Sequence, residues 1–130
     1  MRSGLALGKT ASVDITVTRE MFAQFEGVPV HPVYSTVSMV YHMEWASRLI
    51  ILPFLEDHEE GMGGAVSVRH LAPCTEGAAV RVTAAVSALS RNQVVTSVKA
   101  ESGGMTIGTG EVTQMILPKE RIAGMINGNQ

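Results

Sequence analysis

The sequence predicts an α+β fold in which one antiparallel sheet of five or six strands wraps around one long helix. Three observations carry this. Residues 35–52 contain no helix breaker, one alternating segment precedes them, and four strand-like segments follow in succession. The 130 residues fit one domain, 1–130, and 45% hydrophobic content supplies a core.

The first strand rests on Val13, Ile15 and Val17 alternating with Asp14, Thr16 and Thr18. Residues 19–26 allow a short helical turn, and Gly27 with Pro29 and Pro32 predicts a loop after it. In the long helix Val37, Val40, Met43, Ser47 and Ile50 recur at spacings of three or four, and Pro53 marks its end. The charged run at 56–61 ends in Gly61 and reads as a solvated loop. Residues 64–71 place Val66, Val68 and His70 on one face of a strand, and 78–89 place Val80, Val82, Ala84 and Val86 on one face of the next. Arg91-Asn92-Gln93 turns the chain into a strand at 94–101, and Ser102-Gly103-Gly104 turns it into another at 105–117. Two glycines and two asparagines in 119–130 predict a frayed tail.

This element order is the hotdog arrangement. An open sheet edge and an exposed apolar face on so small a domain predict a homodimer or a higher homo-oligomer.

Composition removes several function classes. Ten Lys+Arg against twelve Asp+Glu leave a net charge of -2 and no basic block, and 5% aromatic residues provide no stacking platform, so nucleic-acid binding is not expected. Cys74 stands alone, which excludes an intrachain disulfide and suits a reducing, cytoplasmic location. The apolar stretch 37–55 is interrupted by His42, Glu44 and Arg48 and reads as a buried helix, with no membrane partner expected.

Glu44 lies in the middle of the helix expected to be most buried, so it needs either a partner or a task. Arg48 at i+4 offers the partner. His70 continues the inward row of Val66 and Val68, and beside a helix-borne Glu44 it would complete an acid/base pair able to move protons near neutral pH. Thr36 lies eight residues before Glu44 on the same broad helix face, where it could also serve as a cap. Gly61, Gly63 and Gly64 precede the His70 strand, where absent side chains let backbone NH groups approach a ligand. His31, His42 and His58 have no metal-ligand spacing, so no metal is expected.

At these residues the chain resembles the hotdog-fold thioesterases of the fluoroacetyl-CoA thioesterase family. The resemblance runs over residues 4–118. It rests on Thr36, Glu44 and His70 at their spacing, on Met43-Glu44-Trp45-Ala46, on Gly63 seven residues before His70, and on Ile107-Gly108-Thr109-Gly110. It implies hydrolysis of an acyl-CoA substrate, with Thr36, Glu44 and His70 catalytic and Gly63 holding the acyl group or thioester. No cofactor beyond the substrate's coenzyme A is implied. Residues 19–35 look shorter than the corresponding fluoroacetyl-specific segment and lack its aromatic lid, which leaves the acyl group open. Two rival readings stand beside it: a hotdog dehydratase using His31 and Glu44, and a non-catalytic acyl-CoA binding module with Glu44 paired to Arg48.

Overall fold

The computed structural model describes residues 1–128. Strand β1 (Thr10–Thr16) leads through a single 3-10 turn into a hairpin of β2 (Phe22–Phe25) and β3 (Val28–Tyr34). Helix α1 (Thr36–Ile51) follows, then β4 (Glu59–His70), β5 (Ala79–Ser90), β6 (Gln93–Ser102), β7 (Met105–Pro118) and α2 (Lys119–Gly128). The five long strands form one antiparallel sheet in the order β1-β5-β6-β7-β4, with α1 packed against all five. Together they make the hotdog fold.

Local chemistry explains where α1 begins and ends. Ser35 is its N-cap, and its side chain accepts the Ser38 N–H at 3.0 Å, satisfying one of the amides that the first turn leaves open. Pro53 falls in the 3-10 turn that closes the helix. The inward face carries Met39, Met43, Ala46 and Ile50, which meet Val80, Val82 and Ala84 of β5 and Val94, Val98 and Ala100 of β6 in one buried core.

Three expectations need correction. The proline-bearing segment is strand β3 and not a loop, because it lies in a two-stranded ribbon outside the main sheet, where a missing N–H costs little. Glu26 and Gly27 both adopt positive φ, 53° and 78°, as a tight hairpin turn requires. The acidic run is a solvated loop only over 56–58, where Asp57 and His58 are exposed. β4 begins at Glu59, whose carboxylate accepts the N-terminal amine and the Glu56 N–H, both at 2.9 Å, and Glu60 is paired as well. Finally, 119–128 is helical where the composition predicts fraying. Glu120 stands in the favoured first turn, and the Lys119 N–H donates to the His58 carbonyl at 2.6 Å. Residues 129–130 lie outside the described residues.

The glycines of Ile107-Gly108-Thr109-Gly110 are explained by close packing. A Cβ on Gly108 would meet Met39 Sδ of the core, and one on Gly110 would meet the Ser67 carbonyl of the neighbouring strand β4. Gly110→Ala is therefore expected to lower stability by about 2 kcal/mol, since backbone cannot yield as a side chain can. The denaturation midpoint reads this directly, and an unchanged midpoint would remove the steric account.

Candidate active site

The first half of the site lies where α1 starts and β4 ends. Thr36 is the first residue of α1, one place after the cap, so its hydroxyl is not spent on capping. Its Oγ1 is joined by a 2.8 Å hydrogen bond to Nδ1 of His70, the last residue of β4. The other ring nitrogen of His70, Nε2, is buried and has no hydrogen-bond partner among the described residues. A buried polar atom without a partner costs about 1 to 3 kcal/mol, which makes it a natural contact for a substrate or a second subunit.

Behind His70 sits a pair that sequence reasoning misses. Tyr34 and His42 are both buried, and Tyr34 Oη is joined to His42 Nδ1 by a 2.7 Å hydrogen bond. Their rings stack, and the Tyr34 ring meets the His70 ring edge-on at 6.4 Å between centroids. Burial pushes the Tyr34 hydroxyl pKa up and the His42 pKa down, so both stay neutral near pH 7. Tyr34 ends β3 and His42 lies on α1, so no periodicity links the two and no local signal reveals them.

The second half of the site lies two helical turns further along α1. Glu44 is exposed on the outer side of the helix, not buried within it, because the inward face belongs to the apolar residues. Its Oε2 lies 3.4 Å from where a Gly63 side chain would begin, so Gly63 provides the space that the carboxylate faces. Gly64 has no partner on β7, since the register shifts between Gly63 and Ala65. Arg48 does not pair with Glu44. Its Nη1 donates to Glu60 Oε2 at 2.9 Å, so the ion-pair explanation for Glu44 falls away. Glu44, Trp45, Gly63 and Gln114 help line a cleft of about 300 Å³ between α1 and the β4–β7 edge of the sheet.

One chain therefore brings Thr36 to His70 and Glu44 to Gly63. The two halves stay apart: eight helical residues separate Thr36 from Glu44 by ~12 Å along the axis. His31 belongs to the outer ribbon, in register with Ala23. Among the described residues, no group of three or more His, Cys, Asp or Glu is placed to hold a metal ion, and no helix is long and apolar enough to cross a membrane.

Solved structures place this architecture among thioesterases. A thioesterase superfamily member from Thermus thermophilus superimposes with a TM-score of 0.91 at 44% identity, covering 95% of this chain and 92% of that one. The model of the fluoroacetyl-CoA-specific thioesterases matches residues 17–120, and the chain belongs to that family, a family of thioester hydrolases. The fluoroacetyl-CoA thioesterase of Streptantibioticus cattleyicolor is 28% identical over 127 residues, covering 93% of this chain and 91% of its own. A variant of the fluoroacetyl-CoA-specific thioesterase FlK in complex with fluoroacetate and CoA matches with a TM-score of 0.83 at 27% identity, over 90% of this chain and 98% of that one.

Proposed function

We propose that the protein hydrolyses a small acyl-CoA thioester to the free acid and coenzyme A, with Thr36, Glu44 and His70 as its catalytic residues. The observation that carries this reading is the Thr36–His70 hydrogen bond, which leaves a buried His70 Nε2 available beside a helix N-terminus. Thr36 holds the water or the carbonyl, and the N-terminal amides of α1 stabilise the oxyanion. Glu44 delivers the oxygen nucleophile, either itself or through a water that it deprotonates, and His70 carries the proton that leaves with the thiol. Water adds across the C–S bond, so one acid and one thiol form, and no cofactor beyond the substrate's own coenzyme A takes part. Gly63 contributes open backbone beside Glu44, and Gly64, which the ladder to β7 leaves unpaired, contributes a backbone N–H as substrate-binding partner.

The working unit of this reading is a homodimer. On the outer side of α1, Val37 is 79%, Tyr41 65% and Trp45 44% exposed, and β4 is an open edge strand with Val66 43% exposed. A second copy paired antiparallel along β4, with its two-fold axis between Val66 and Ser67, would set Gly63 of one chain beside His70 of the other. The two half-sites then join across the interface. With Cys74 its lone cysteine, free and buried, a reducing cytoplasm suits the protein.

The test is release of free thiol from a panel of short, branched and aromatic acyl-CoAs. At least one should be hydrolysed, and Glu44→Gln should lower its kcat by ~100-fold or more with the fold preserved. A fully active Glu44→Gln would end the assignment.

A further inference from the structure

One turn of α1 beyond Glu44, Arg48, Gly61 and Gln114 come together as a polar wall of the cleft, whose lining also includes Tyr41 and Trp45. Arg48 is held there by Glu60, which also accepts the Gly61 N–H at 2.8 Å. These two bonds keep the Glu60 carboxyl below its ordinary range and orient the guanidinium as a charged donor. Gln114 is buried, and its Nε2 donates to the Ser47 carbonyl at 3.0 Å. That bond turns its carbonyl Oε1 toward Gly61, 3.5 Å from where a side chain would begin. A side chain at position 61 would also meet the buried Ile51 Cδ1 at 2.5 Å, so glycine is what lets β4 pack this closely on α1 beside Gln114.

The wall thus presents one charged donor and one amide acceptor. A purely apolar acyl end would desolvate both without replacing their hydrogen bonds. A carboxylate would meet an arginine already paired with Glu60 and would share the cleft with Glu44. An uncharged oxygen fits best. From Glu44 to Arg48 is four residues, ~6 Å along the helix axis, the reach of a short acyl chain.

Resting on the thioesterase reading above, we infer that the preferred substrate is a short acyl-CoA carrying an uncharged oxygen on its third or fourth carbon, either a hydroxyl that accepts from Arg48 and donates to Gln114 Oε1 or a ketone that accepts from Arg48 alone. The experiment compares kcat/KM of the full-length enzyme on 3-hydroxybutyryl-CoA against butyryl-CoA and on 4-oxopentanoyl-CoA against pentanoyl-CoA, with succinyl-CoA as the charged probe. At least one oxygenated substrate should exceed its plain counterpart by ~10-fold or more, and both should exceed succinyl-CoA. Arg48→Met should bring the ratio toward one for either oxygenated substrate, and Gln114→Met should do so for the hydroxylated one. The ratio is read within one preparation, so it does not depend on how much of a variant folds. Equal or reversed preference in the wild type, faster succinyl-CoA hydrolysis, or a ratio unchanged in both variants overturns the inference and leaves the thioesterase reading standing. Failure to hydrolyse any of these substrates overturns this inference, and failure on the whole panel of short, branched and aromatic acyl-CoAs overturns that reading with it.

Discussion

Mixing two inactive variants, Glu44→Gln and His70→Ala, is expected to restore about a quarter of wild-type turnover. Each variant alone should retain ~1% or less, because each removes a group that moves protons or supplies the nucleophile in every site. Within one chain Thr36 is bonded to His70, while Glu44 faces Gly63 two helical turns away. If a site combines Glu44 of one copy with His70 of the other, a mixed dimer has one doubly damaged site and one intact site. Random exchange makes half of the dimers mixed, hence the quarter. Co-expression of the two variants, followed by a thiol-release assay, measures it. Mixed dimers that form but recover nothing would place the complete site within a single chain, and sedimentation showing an active monomer would remove the interface altogether.

The second large effect separates thioester hydrolysis from hydration chemistry on the same fold. His70→Ala is expected to cost ~100-fold or more in thioester turnover, since it removes the imidazole bonded to Thr36. His31→Ala should cost less than ~10-fold, because His31 is exposed in the outer ribbon and contributes only to its packing. A dehydratase would invert this order. Both variants are therefore assayed for thiol release and for hydration of an enoyl-CoA, and loss of hydration confined to His31→Ala would overturn the assignment.

Much of the fold is legible from local pattern. Val80, Val82, Ala84 and Val86 predict an inward face on one strand, and all four are buried on β5. The breaker-free run before Pro53 predicts α1 to within a residue, and Gly103 and Gly104, with φ of 57° and 77°, make the turn between β6 and β7. The ribbon of β2 and β3 is not legible in this way. Proline and glycine signal a break in a regular ladder, and nothing local says that the segment lies outside the main sheet, where such a break is tolerated.

The site divides along the same line. By itself the sequence determined the chemical inventory: a carboxylate and a hydroxyl on one helix, an imidazole at the end of a strand, and glycines where a side chain would intrude. Only the tertiary structure decided who meets whom. Helical spacing offers Arg48 a partner in Glu44, yet it pairs with Glu60 because β4 runs alongside α1. Glu44 lies outward because one sheet covers one side of a helix, and Met39, Met43, Ala46 and Ile50 occupy that side. The Tyr34–His42 pair behind His70 likewise depends on how β3 enters α1 and where β4 ends. Periodicity fixes which face a residue occupies along its own element, whereas contacts between elements depend on strand register and helix packing, which arise only when distant segments bury their apolar faces together.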